Sequence, residues 1–525
     1  MCPSFAKIIK SVPLTEPQYE FFGVHKLSSY ENSSRYIFRV RVKDASEVAL
    51  VGDFNSWTNN FMNNIPDSDI WELVYESDIP IDGMRYKYRI FGTEGITYLT
   101  DPYAREFDAY PHFLSIVCCE KPFEWSDEKY IKKRATLFKD GKEFFSSPLN
   151  VFRVSIEFLH SENIISTVNY RDMCVSLSDY IIQNGYTHVH LTDILKNGEY
   201  DISLAPNPAY GSPEDLKFFI DKLHSNDIGV LLTLTDKLLP EAPDFWVKDF
   251  HIDGFYVLSE NTEYRASDLS DIIWICDSNH TNKSPQKRTF SQNLGFTREL
   301  SDYLSTDPYF RAGKHNRLTF PLLYAFSKRF VLTNLAKNEQ NSSLFSYMFG
   351  SDTTKFSNMR LFFAVMMTYP GKKSLCAENI FPKEYVEPDN LFKHANSKQA
   401  FYKYLASLNK FYLDHPSLWE NDFSKEGFEW VCNDRGGDSV LAYKRIGNNR
   451  KEVVSIFNFS SSFRKKYRIA ICGRYVYYRE IFNSDSECFG GSDRLNNKTI
   501  TRLDGSVEID LPPLSAIIIE PIYLD

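Results

Sequence analysis

The stretch His251-Ile252-Asp253-Gly254-Phe255-Tyr256-Val257-Leu258-Ser259-Glu260 decides how the rest of the chain is read. From Ile252 to Leu258 it is a short apolar run rich in aromatic and β-branched residues. Such a run predicts a strand buried on both faces, as in a parallel sheet. In a (β/α)₈ barrel the C-terminal end of every strand points into the active site. Here that end is Leu258, followed by Ser259 and Glu260.

Outward from this run, strand and helix patterns alternate between Asn150 and Asn379, an α/β signature. Strands are expected at 150–157, 187–191, 228–235 and 272–276. Helices are expected at 170–183 and 213–224, the second with Ser212 as N-cap and Pro213-Glu214-Asp215 in its first turn. Only residues 236–251 separate the third and fourth strands, and 259–271 the fourth and fifth. A parallel crossover needs about a dozen residues, so the connections around strands 3 to 5 are expected to be pruned.

Both flanks read as all-β. Short alternating segments at 36–42, 48–52, 71–75 and 84–91, separated by Gly, Asn, Asp and Pro, predict an N-terminal sandwich. After helices at 353–367 and 396–413, segments at 428–432, 439–445, 452–457, 466–471 and 507–519 predict a C-terminal one. The expected domains are therefore 1–120, a barrel over 121–415, and 416–525. Trp57 sits on a predicted turn, where its ring either offers a flat apolar face to a ligand or packs against the neighbouring domain. Asn55 and Lys87 are the candidate hydrogen-bonding partners for the polar groups of such a ligand.

Several motifs occur in order. Phe22-Gly23-Val24-His25, Val51-Gly52-Asp53-Phe54-Asn55-Ser56-Trp57, Tyr86-Lys87-Tyr88-Arg89-Ile90 and Asp101-Pro102-Tyr103-Ala104 resemble the glycogen-binding module at the front of branching and debranching enzymes. Tyr210-Gly211-Ser212-Pro213-Glu214-Asp215-Leu216, Asp253-Gly254-Phe255, Asp307-Pro308-Tyr309 and Tyr369-Pro370-Gly371-Lys372-Lys373 carry the likeness through the middle. Gly427-Phe428-Glu429-Trp430 and Leu511-Pro512-Pro513-Leu514-Ser515-Ala516 carry it to the end. Throughout, the chain is similar to the glycogen (1,4-α-glucan) branching enzymes of the α-amylase family. That resemblance implies a (β/α)₈ barrel between two all-β domains, with Trp57, Asn55 and Lys87 placed to hold a glucose unit of an α-glucan.

The departures bear on activity. The resemblance implies an arginine at Tyr256, the nucleophilic aspartate at Leu258, an aspartate and a histidine at Thr233 and Leu238, and a His-Asp pair at Ala336-Lys337. The general acid falls on Cys276 or, one residue on, Asp277. Retaining glycosyl transfer needs two carboxylates about 5–5.5 Å apart, and a leucine cannot attack. Asp236, Glu260 and Glu378, near predicted strand ends, are the substitutes from which a rewired pair would have to come.

Lys+Arg of 60 against Asp+Glu of 69 gives a net charge of −9 with no long run of either sign. Neither nucleic acid nor an anionic membrane is an expected partner. Nine cysteines, an odd set without a Cys-x-x-Cys pair, and no apolar leader predict a reduced, cytoplasmic protein. No metal-ligand spacing or phosphate loop calls for a cofactor. The expected function is that of a catalytically inactive branching-enzyme-like protein binding glycogen or another α-glucan, or a protein of glycogen metabolism. The alternatives are an active 1,4-α-glucan branching enzyme with a rewired site, and an interaction protein without glucan binding.

Overall fold

The computed structural model describes residues 17–523, apart from 31–32, 110–111, 119–121, 140, 162–164, 166, 198–199, 259–270, 277–288, 335–343, 381–395 and 436. Eight parallel strands close into a barrel. They are β1 (Asn150–Val154), β2 (His188–Leu191), β3 (Gly229–Leu234), β4 (Gly254–Val257), β5 (Ile273–Cys276), β6 (Thr289–Gln292), β7 (Phe330–Thr333) and β8 (Lys372–Cys376). The quoted stretch is thus the fourth strand, as its composition predicts.

Alternation along the strands sends Val151, Leu231, Tyr256, Ile273, Ile275, Phe290 and Val331 into one cluster along the barrel axis. Phe255 and Trp274 face the other way, their rings 5.4 Å apart in the layer under the helices. Gly254 has no substitute. A Cβ there would stand 2.2 Å from the Ile273 carbonyl oxygen, so the β4–β5 approach requires its absence.

Four helices matter for the site: α1 (Glu128–Lys139), α2 (Tyr170–Gln183), α3 (Pro213–His224) and α4 (Ala242–Phe250). Helix α3 opens as its sequence predicts. The Ser212 hydroxyl accepts from the Asp215 N–H while the Asp215 carboxylate accepts from the Ser212 N–H, and Pro213 fits the first turn. Helix α4 fills the short β3–β4 connection. One expectation is corrected at β1: the strand stops at Val154 and Ile156–Ser161 is helical. The Asp193 carboxylate, at the end of β2, accepts from the Ile156 and Glu157 N–H groups and anchors that helix start.

At the N-terminal end of the barrel, Asp253 is 1% exposed and gathers four donors. These are the Val230 N–H (2.6 Å), His224 Nε2 (3.0 Å), Arg134 Nη1 (2.8 Å) and the Tyr130 hydroxyl (2.9 Å). His224 Nδ1 and His251 Nδ1 both meet Asp127, each at 2.8 Å. Helices α1 and α3 and strands β3 and β4 are locked together by this network.

The flanking domains explain the remaining motifs. Sheets of four and five strands enclose the N-terminal core, with Trp71 buried in it. Buried Asp101 accepts from the Tyr86 hydroxyl (2.8 Å) and the Tyr88 hydroxyl (2.9 Å), so the Tyr-Lys-Tyr and Asp-Pro motifs are two halves of one contact. Burial pushes its carboxyl up to about 6 despite those bonds. At the C-terminal seam Lys372, at the start of β8, and Arg445 share Asp422, at 3.1 and 2.8 Å, all three buried.

Two outcomes test the Asp253 network. Burial works to lower the His224 pKa, but Asp253 and Asp127 outweigh it and raise it from 6.5 to about 9. A raised folded pKa contributes stability that is complete below pH 6.5 and lost as the pH rises through 9, here on the order of 3 kcal/mol. Denaturant midpoints measured from pH 6 to pH 10 are expected to fall accordingly, and the fall should vanish in His224→Gln. Asp253→Asn leaves Arg134 and His224 facing a neutral group and is expected to cost roughly 3–5 kcal/mol in the same titration at pH 6.

Candidate functional site

The C-terminal mouth of the barrel is where this fold places chemistry. Tyr256, at the position where an arginine is implied, lies flat against His190, with ring centroids 4.0 Å apart and planes 3° from parallel. Its hydroxyl donates to Ser374 Oγ on β8 at 3.0 Å, bridging the barrel interior from β4. His190 Nε2 meets Thr233 Oγ1 at 2.8 Å, so the threonine at the implied aspartate position serves this buried histidine. Burial lowers the His190 pKa well below its ordinary value, with Arg153 acting in the same direction, and the ring is neutral. A neutral stack of His190, Tyr256, Thr233 and Ser374 therefore occupies the barrel below its mouth.

Leu258 sits one residue past β4, its N–H donating to the Leu234 carbonyl at 2.9 Å. Its side chain is 54% exposed. Leu238 is buried in the core around the helices. The two positions offered for the acid separate by strand phase. Ile273 and Ile275 face the axis, so strand phase sends Cys276, which is buried, to the outer side with Trp274. Asp277, Glu260 and Ala336-Lys337 lie outside the described residues.

Two carboxylates flank the described part of the mouth. Asp193 accepts from Ser155 Oγ (3.0 Å) and the Tyr210 hydroxyl (2.9 Å) as well as the two amides of the β1 helix, which leaves it a structural cap. Glu378 follows β8, and its Oε2 is buried without a hydrogen-bond partner. Burial raises its pKa while the Arg153 guanidinium on β1 opposes the shift. Asp236 is exposed on the turn after β3. Sequence spacing singled out Glu378 and Asp236. It missed Arg153 and Asp193, whose part depends on strand phase across the closed barrel.

A second candidate surface lies on the N-terminal module. Trp57 is partly exposed at the end of the loop that follows Ala45–Gly52, in the left-handed region at φ 60°, with its indole N–H donating to Asp53 Oδ1 at 3.0 Å. Asp53 in turn receives Arg85 Nε at 2.9 Å, and the guanidinium holds its carboxyl below the usual range. In the strand Arg85–Gly92, Tyr86 and Tyr88 enter the core, so Lys87 and Arg89 face outward. Cross-strand register puts Phe61, Arg89 and Tyr98 on that same face. Arg89 lies 5.1 Å over the Tyr98 ring and donates to Asn59 Oδ1 at 2.7 Å. Lys87 Nζ donates to the His112 carbonyl at 3.4 Å.

Asn55 has a different part from the one expected. Its Oδ1 accepts from the Gly52 N–H (2.9 Å) and its Nδ2 donates to Leu50 O (3.1 Å) and Asn60 Oδ1 (2.6 Å). Both donor hydrogens are used in building the turn that presents Trp57. Tyr98 and Arg89 were missed in sequence. The alternation of residues 85–91 around two core tyrosines was the signal for Arg89, whereas Tyr98 depends on hairpin register.

Comparisons with known proteins follow this architecture. Residues 21–104 match the model of carbohydrate-binding module 48 (isoamylase N-terminal domain). Residues 430–522 match the alpha amylase C-terminal all-beta domain. The chain is 27% identical to 1,4-alpha-glucan branching enzyme GlgB of Oceanobacillus iheyensis, covering 95% of this chain and 94% of that protein. It is 28% identical to GlgB 1 of Rhizobium johnstonii, covering 96% and 82%. A pullulanase from Anoxybacillus sp. LM18-11, solved with maltotetraose, shares the fold at a TM-score of 0.67 and 12% identity, over 99% of this chain and 89% of that one. The resemblance to branching enzymes of the α-amylase family holds along nearly the whole length. No described helix is long and apolar enough to cross a membrane.

The exposure of Leu258 sets the expected outcome of Leu258→Asp. A carboxylate there stays hydrated, and the unfolding free energy from denaturant titration is expected to change by no more than about 0.5 kcal/mol. Tyr256→Phe, by contrast, removes the buried bond to Ser374 and is expected to cost about 1–2 kcal/mol in the same measurement.

Proposed function

We propose that this chain, a relative of the 1,4-α-glucan branching enzymes along nearly its whole length, binds α-glucan through the outward face of its N-terminal module and carries out no glycosyl transfer. The observation that carries the reading is Leu258, a partly exposed apolar side chain just past the end of β4, where the resemblance implies the attacking carboxylate. Without that oxygen no glycosyl-enzyme intermediate forms, and transfer to a second glucan has no route. General acid catalysis alone contributes about 10²–10⁴-fold, too little to cleave a glycosidic bond at a useful rate.

Glucan binding is supported by the match of residues 21–104 to a carbohydrate-binding module and by the chemistry of the face. Trp57 and Tyr98 offer ring surface for the apolar side of a glucose unit, and Lys87 lies on the same outward side for its hydroxyls.

One observation favours the second reading, an active enzyme with a rewired site. Glu378 is a carboxyl with a raised pKa at the end of a barrel strand, the condition of a general acid. Incubation with amylose separates the two. New α-1,6 branch points and reducing ends are expected to stay at the no-protein level; branching that disappears in Glu378→Gln would establish the second reading instead. In parallel, Trp57→Ala is expected to weaken co-sedimentation with glycogen at least about tenfold, the scale of a buried tryptophan contact, with little change in melting temperature. Equal sedimentation of both proteins would remove Trp57 from the binding face.

A further inference from the structure

The C-terminal domain contains a cavity of about 580 Å³ that neither the barrel mouth nor the N-terminal face uses. Its size is that of small-molecule sites, which run to about 300–1,000 Å³. The strands Phe428–Arg435, Val440–Ile446 and Glu452–Asn458 form one wall, and the turn at Cys472 to Tyr475 forms the other.

At its floor Lys444, buried in the β-sheet, reaches Glu429 Oε2 at 3.3 Å and the Cys472 carbonyl, with Glu452 Oε2 at 3.9 Å. Glu452 is 8% exposed, and its Oε1 is buried with no hydrogen-bond partner. A buried acceptor left without a donor keeps its desolvation cost unrelieved, so a donor entering the cavity is favoured there. Tyr475 stands at the rim beside Tyr523, ring centroids 5.3 Å apart, and takes a bond from Arg474 Nη2 at 3.0 Å.

The lining charges identify the class of donor. Glu426, Glu429 and Glu452 are matched by Lys444, Arg450 and Arg474, three against three. An ion of either sign meets as many like charges as opposite ones. A neutral hydroxyl donates to the carboxylates and accepts from the cations, and a pyranose also has an apolar face for Tyr475. We infer that this cavity is a second binding site for a neutral polyhydroxyl ligand, a glucose unit of an α-glucan chain, with Glu452 Oε1 as the acceptor that orients it. The choice of glucan among neutral sugars rests on the function proposed above; the site itself does not share residues with the N-terminal face.

Cys472 supplies the readout, because its thiol is exposed and lines the cavity, while the exposed Cys488 lies outside it. The full-length protein is alkylated with N-ethylmaleimide and the two cysteines are followed by peptide mass spectrometry. Maltoheptaose at about ten times its Kd should slow alkylation of Cys472 about tenfold and leave Cys488 unchanged. Glu452→Gln and Tyr475→Ala should each abolish the protection, and Trp57→Ala should keep it. An unchanged Cys472 rate in the parent overturns the inference, even where glycogen co-sedimentation depends on Trp57. So does protection that survives both cavity variants. Protection with sedimentation indifferent to Trp57 would sink the N-terminal reading and leave this one standing. Should a cavity variant fail to melt cooperatively, the parent's Cys472 rate and the other variant decide.

Discussion

One carboxylate holds the barrel's lower end together. Asp253 is buried with a full set of donors from a histidine, an arginine, a tyrosine and a backbone amide. A buried charge is tolerated only when it is paired and fully hydrogen-bonded. The pairing here is over-determined, and its effect is to hold Asp253 ionised although burial acts against it. Because the donors come from α1, α3 and the start of β3, the linker helix and two strands of the barrel cannot separate without exposing the charge. Gly254 then follows at the one place where β5 passes too close for any side chain.

The upper end of the same strand obeys the opposite rule. Where the lower end concentrates paired charges, the stack of Tyr256, His190, Thr233 and Ser374 is neutral and self-satisfying apart from His190 Nδ1, which is buried without a partner. With Tyr256 where the resemblance implies an arginine and Leu258 where it implies a carboxylate, neither member of that ion pair is present at these two positions. The two departures are physically consistent with each other. The remaining acidic groups divide by their partners: Asp193 is occupied by a helix start, and the Glu378 carboxyl is raised by burial, with Asp193 adding to the shift and Arg153 opposing it.

Binding and catalysis make different demands on cooperation between distant parts of a chain. A catalytic pair needs carboxylates from two strands held within a narrow spacing, so losing one ends the function. A sugar platform needs an aromatic face and a few donors on one sheet. The loop that carries Trp57 is tied to that sheet through Asp53–Arg85 and Asn59–Arg89, and both ties are local.

The local patterns along the chain were enough for the architecture. Apolar runs of strand length, the Ser212–Asp215 cap and the helices at 170–183 and 213–224 depend on neighbours a few residues apart, and those appear where periodicity and capping predict them. Leu258 is likewise legible, since residue type alone shows that the position where the resemblance implies a nucleophile carries no attacking group. What sequence could not decide were the properties set by distant partners. Whether Leu258 is covered, whether Cys276 faces the axis, and whether Asn55 is free all depend on strand phase, register and turn geometry. Asn55 reads as a ligand group until the folded turn takes both of its donor hydrogens. Arg153 and Tyr98 carry no local signal because their meaning comes from residues on other strands, brought close only when the sheets close. Periodicity fixes which element forms; the pairing of elements fixes what each side chain can touch.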